Sequence, residues 1–197
     1  GIFRDKRNFK SYPTKGYYFD FVAVKNGVGA LSKELNLITM SSQVKKYWEL
    51  ASSVYLSGMA RVKYTAHEGP YYLYGGLGYM NNLVRGYELY VMDAEDYAVI
   101  KTNVKFNILK KKEMHLKWLR LKKFNKPYFA LYLNAYLDAG YAEDRLYNSV
   151  NSLSNKWILG SGVGLDVTAF YDFVMRLEYT FNRENENGFF LHFRKSI

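Results

Sequence analysis

The sequence predicts an all-β protein, about eight antiparallel strands of a transmembrane β-barrel, and three observations predict it. The first is period two, since stretch after stretch alternates apolar with polar side chains and so gives a strand one greasy and one wet face. The second is length: the alternating runs cover roughly nine to thirteen residues, enough to cross a bilayer at a tilt and longer than the usual strand of a soluble sandwich. The third is composition, with 20 Tyr and 13 Phe in 197 residues yet a mean hydropathy of only −0.29. No apolar run is long enough for a spanning helix, which excludes a helical membrane protein. A barrel is not excluded, because its signal is alternation.

Phe3 to Phe9 reads as the tail of one strand, and Pro13-Thr14-Lys15-Gly16 as a tight turn in which Pro13 presets φ and Gly16 permits a positive one. Tyr17, Phe19, Phe21 and Ala23 then share a face against Tyr18, Asp20 and Val22, closing at Asn26-Gly27. Leu35 to Tyr47 is a less regular strand. Val54, Leu56, Gly58, Ala60, Val62 and Tyr64 oppose Tyr55, Ser57, Arg61 and Lys63, and the two cations imply a wet interior. A long loop, about 66–96, follows; it holds the glycine-rich stretch Gly75 to Tyr87. Ala98, Ile100, Thr102, Val104, Phe106 and Ile108 against Lys101, Asn103, Lys105 and Asn107 form the clearest amphipathic strand. Phe129 to Ala139 places Leu133 and Leu137 opposite Asn134, Tyr136 and Asp138. Leu159, Val163, Leu165 and Val167 oppose Gly160, Gly162, Gly164 and Asp166. Phe173, Met175, Leu177, Tyr179 and Phe181 oppose Arg176, Glu178, Thr180 and Asn182, and the terminal strand sets Phe189, Leu191, Phe193 and Ile197 against Phe190, His192 and Arg194. No repeat or linker divides the chain, so residues 1–197 read as one domain.

The formal charge of +10 raises nucleic acid as a partner, but basic turns on a membrane protein explain it better. The segment Lys110 to Lys126, interleaved with Trp118 and Phe124, is either an interfacial element facing anionic headgroups or a solvated hairpin. Without cysteine there is no disulfide framework and no thiol nucleophile. His67, His115 and His192 share no ligand spacing, so neither a metal nor another cofactor is expected. No nucleophile elbow is present, and no catalytic residue is assigned. Gly160-Ser161-Gly162-Val163-Gly164 lacks the helix of a dinucleotide site; strand phase instead puts its three glycines on the polar face, where another backbone can approach closely. Asp93, Glu95 and Asp96 read as a solvated loop face. A chain that opens on Gly1, without initiator Met or signal peptide, is expected to be a processed or truncated piece of an exported protein.

Val84-Arg85-Gly86-Tyr87 at the end of the glycine-rich loop, and Tyr136-Leu137-Asp138-Ala139-Gly140 on a later strand, together resemble the outer-membrane assembly-factor family (BamA/TamA type, or bacterial surface antigens). Asp5, Arg7 and Pro13-Thr14-Lys15-Gly16 resemble a recurrent hairpin of the same family. The resemblance covers nearly the whole chain but only the C-terminal half of the family's barrel. It implies that the loop folds into the lumen, where Arg85 meets Asp138 as a bidentate pair. It also implies an integral protein of a Gram-negative outer membrane that takes part in outer-membrane protein insertion or translocation without covalent chemistry. Its partners would be lipids, the missing N-terminal barrel half, accessory assembly subunits, and unfolded outer-membrane proteins received beside the terminal strand. Two departures stand out: the chain ends Phe193-Arg194-Lys195-Ser196-Ile197 instead of on an aromatic, and Asn103-Val104-Lys105-Phe106 stands where members often carry a glutamate. Two other readings remain open. One is the barrel of a passive or patatin-like, esterase-linked outer-membrane protein whose activity lies in a missing domain; the other is a soluble basic β-protein that binds nucleic acid.

Overall fold

The computed structural model describes residues 1–27, 36–66, 69–79, 82–113, 128–146, 151–169 and 173–195. His67, His115, Ile197 and most of the basic segment Lys110 to Lys126 lie outside the described residues. The protein is all-β. Strands β1 (Ile2–Asp5), β2 (Gly16–Asn26), β3 (Leu37–Ala51), β4 (Val54–Ala66), β5 (Asp96–Glu113), β6 (Tyr128–Glu143), β7 (Trp157–Ala169), β8 (Phe173–Asn182) and β9 (Asn187–Lys195) form one sheet in chain order. Every neighbouring pair is antiparallel.

The sheet has nine strands where about eight were expected, because the opening tail pairs in full register with β2 (Ile2 with Phe21, Asp5 with Tyr18). No pairing joins β9 to β1 among the described residues, so both are edges. The strand expected over Leu35 to Tyr47 runs on to Ala51, carrying Trp48 and Leu50 on its exposed end.

Alternation sorts the sheet into an apolar open face and a polar covered one. On the open face the register lines up Val54, Phe106, Leu133, Leu165, Leu177 and Leu191 in one row across six strands. The covered face carries Asn103, Lys105, Asn134, Asp138, Asp166, Glu178 and Thr180, all buried. Adjacent residues make the inversion plain: Leu137 is 56% exposed and Asp138 is 0% exposed. A water-soluble sheet buries its apolar face; this one does the reverse.

Two segments cover the polar face. One is the long loop between β4 and β5. The other is the β1–β2 turn, which the Asn8 side chain holds together by accepting from the backbone N–H groups of Thr14 and Lys15 at 3.1 and 3.2 Å. The Arg7 guanidinium closes on Asp5 in a two-pronged pair at 2.9 and 2.6 Å. Gly16 ends the turn with φ +106°, and a Cβ there would lie 2.1 Å from the Lys6 carbonyl oxygen. Gly16→Ala is therefore expected to destabilise the protein by about 1–3 kcal/mol, read as a lower urea midpoint of unfolding.

Candidate functional site

The site is built where the long loop meets β6, β7 and β8. Within the loop, Leu77 and Met92 exchange backbone hydrogen bonds at 2.9 Å each way, making a small hairpin that carries its tip inward. Leu77, Val84, Tyr87, Met92 and Ala94 then pack on Tyr97, Val99, Ala142, Leu153 and Ile158 in one apolar cluster. At the tip, Tyr87 N–H bonds the Val84 carbonyl at 3.0 Å, which closes a four-residue turn over Val84-Arg85-Gly86-Tyr87. Gly86 occupies the third place with φ +92°, the positive value a type II turn needs there. The second place leaves Arg85 pointing away from the turn and into the sheet.

The Arg85 side chain donates from Nε to Asp138 Oδ2 at 2.8 Å and from Nη2 to Oδ1 at 2.6 Å, while its backbone N–H adds a third bond at 3.2 Å. Nη1 donates to Glu178 Oε1 at 3.1 Å and Nη2 to the Thr102 carbonyl at 3.3 Å. The guanidinium lies 3.6 Å from the centre of the Tyr136 ring, and Lys101 Nζ stands 3.8 Å from Asp138. Asp138 and Glu178 are buried, so each carboxylate depends on these cations for its charge to be tolerated. Burial works against the Arg85 charge, but the hydrogen bond and charge of Asp138 outweigh it and hold the guanidinium above its ordinary pKa.

The loop reaches this depth because glycines clear the way. Across the β6–β7 register, Gly160, Gly162 and Gly164 stand opposite Asp138, Tyr136 and Asn134. A Cβ on Gly160 would sit 1.7 Å from the Arg85 carbonyl oxygen, and one on Gly162 would sit 2.5 Å from the Tyr136 hydroxyl. Gly140 gives the same room one step along β6, where a Cβ would lie 2.7 Å from Val84 Cγ2. Asn182 on β8 donates to the Gly86 carbonyl at 2.9 Å and pins the turn from the far side.

The structure thus brings together Val84, Arg85, Gly86, Tyr87, Tyr136, Asp138, Gly140, Gly160 and Gly162. It does not bring the terminal strand's Phe189, Leu191 and Phe193 to that cluster; they lie exposed on the open face of β9. Glu178 went unassigned in the sequence, although its alternation phase on β8 already marked it as a covered-face acid. The acidic trio Asp93, Glu95 and Asp96 departs from the solvated loop face expected of it. Rather than forming a solvated face, Glu95 is buried, Asp96 accepts from the Thr65 backbone and pairs with Arg145 at 2.7 Å, and Asp93 accepts from the Tyr71 and Tyr79 hydroxyls. The hydrogen bond to Asp93 pushes Tyr79 up to about 12. Asp96 ties the loop's base to the Thr65 backbone on β4 and Glu95 takes the Arg145 backbone N–H, while Asp93 joins two tyrosines within the loop.

A second buried ionic centre lies under the β1–β2 turn. Asp166 accepts from Tyr12 at 2.7 Å, from Asn134 at 2.6 Å and from Arg176 at 2.8 and 2.9 Å, with Lys105 Nζ 3.9 Å from the centre of the Tyr12 ring. Tyr12 could not be assigned from sequence because its partners are set by how the turn folds over the face. The chain matches no protein-family model and no curated protein.

Adding a methyl group tests the glycine lane. Gly160→Ala is expected to push the Arg85 backbone off β7 and cost about 1–3 kcal/mol, seen as faster limited proteolysis of the loop. Gly75→Ala, where a Cβ meets nothing within 4 Å, is expected to leave proteolysis unchanged.

Proposed function

We propose that this chain is the C-terminal part of an outer-membrane β-barrel of the BamA/TamA type, taking part in the insertion of outer-membrane proteins or in protein translocation. The observation that carries the proposal is the loop tip: Arg85 of Val84-Arg85-Gly86-Tyr87 caged by Asp138 and Glu178 on the polar face of a sheet whose other face is apolar and exposed. In a bilayer the apolar face meets lipid and the polar face lines a lumen, so neither face is misplaced. Strand length supports the same reading. The 13 residues of β7 rise about 3.3 Å each and, tilted by about 45°, cover about 30 Å of hydrocarbon.

The role follows from the edges. A strand edge in lipid carries unpaired backbone donors and acceptors at a cost of several kcal/mol each, so a barrel wall must close or pair with an incoming strand. Strand β9, with Phe189, Leu191 and Phe193 facing outward, is the edge at which an unfolded outer-membrane strand adds by backbone pairing. The opposite edge, β1, is where the remaining barrel wall joins. The caged loop braces the sheet between these edges, so that the wall keeps its shape while β9 exchanges partners. No step requires covalent chemistry.

Two experiments test this. Leu137→Arg, on the open face in mid-strand, is expected to cost about 2–4 kcal/mol in lipid vesicles; in a water-soluble sheet the same change stays within about 0.5 kcal/mol. Arg85→Ala in the full-length protein is expected to lower the yield of inserted outer-membrane proteins and to open the loop to protease. Recovery of the protein in the soluble fraction, or full insertion activity in Arg85→Ala, contradicts the proposal.

A further inference from the structure

His192 lies on β9, on the covered face, and its Nε2 points at two carboxylates from different parts of the chain. Glu178 of β8 is 3.6 Å away through Oε2, and Glu88 of the long loop is 4.0 Å away through Oε1. Each carboxylate uses its other oxygen elsewhere. Glu178 Oε1 accepts from Arg85 at 3.1 Å and lies 3.8 Å from Arg176 Nε, whereas Glu88 Oε2 accepts from the Gly86 backbone N–H at 2.8 Å. The two remaining oxygens are buried and make no hydrogen bond among the described residues. Both face the same ring nitrogen.

We infer that His192 is a proton-operated latch between the terminal strand and the loop tip. With Nε2 protonated, the imidazolium donates into the gap between Glu178 Oε2 and Glu88 Oε1 and joins β9, β8 and the loop through one cation. With the ring neutral, its remaining proton stays on Nε2 between the two carboxylates but the positive charge is gone, and the loop loses its only charge-assisted contact of this kind with β9 among the described residues. Burial already holds Glu88 above the usual carboxylate range, with the Glu178 charge adding to it. Among the described residues, the other charges that face the gap include Arg176, across the ladder from His192, Arg85 on Glu178, and Lys101, whose charge acts on Glu88. None of these cations titrates near neutral pH, whereas an imidazole does by its ordinary chemistry. Phe190 stacks on the ring at 6.4 Å and keeps its plane on the covered face.

The inference stands on the geometry of strand and loop alone and does not depend on the proposed function. It is tested by spin labelling: these 197 residues hold no cysteine, so Leu89→Cys, on an exposed residue next to Glu88, supplies a single attachment point within this chain, any cysteine elsewhere in the full-length protein being replaced by serine first. The mobile fraction of the label is expected to rise about tenfold as the pH is taken from about 5.5 to 8, as one charge-assisted hydrogen bond is lost. His192→Gln and, separately, Glu88→Gln are expected to flatten that dependence, with β-sheet circular dichroism establishing that each variant folds. A pH-independent wild type, or the same rise in either folded variant, overturns the latch.

Discussion

One guanidinium decides where the loop goes. Arg85 stands buried between two carboxylates and the ring of Tyr136, and none of these charges is tolerable there alone. Removing the arginine leaves Asp138 with only the more distant Lys101 and Glu178 with only the more distant Arg176; removing Asp138 leaves the arginine with Glu178 and the Thr102 carbonyl. The loop is thereby held by a set of charges that is complete only when its tip is seated. Hydrophobic packing of Leu77, Val84, Tyr87 and Met92 adds adhesion, yet it is not directional, and it is the two-pronged Arg85–Asp138 geometry that fixes the register of tip against sheet.

The cage in turn requires an inverted sheet. A covered face dense in Asn134, Asp138, Asp166 and Glu178 is backed by an open face that carries the apolar row from Val54 to Leu191. Small residues complete the arrangement, because ordinary side chains on β7 would collide with the Arg85 backbone. The polar face carries two ionic centres, Arg85 with Asp138 towards the loop and Arg176 with Asp166 under the β1–β2 turn, and Glu178 lies between both arginines. That shared carboxylate links the two coverings of the face.

Much of this was legible in the sequence because period two fixes which residues share a face. Asp138 and Gly160 could be placed on the polar side by counting alone, and Val84-Arg85-Gly86-Tyr87 next to a downstream acid was a readable motif. What counting misses is register between strands and the path of inward-folded segments. Glu178 sits in the row of Asn134 and Gly164, whereas Asp138 sits in the row of Gly160 and Asn182, and it is the inserted guanidinium that bridges the two rows. Tyr12 reaches Asp166 across a sequence separation of 154, which no local pattern encodes. The acids Asp93, Glu95 and Asp96 resemble a solvated loop in composition, and only the inward fold turns them into acceptors for the Thr65 and Arg145 backbone and for tyrosine hydroxyls. The opening strand escaped the strand count because four residues carry too little alternation to be read without their partner β2.

Arg85 and Asp138 act as one unit, and a double-mutant cycle measures their coupling. Arg85→Ala, Asp138→Ala and the double variant would be unfolded in lipid vesicles alongside the parent protein. Each single change is predicted to cost about 3–5 kcal/mol, and the double change to cost less than their sum by about 2–3 kcal/mol. Additivity within about 0.5 kcal/mol would contradict the account.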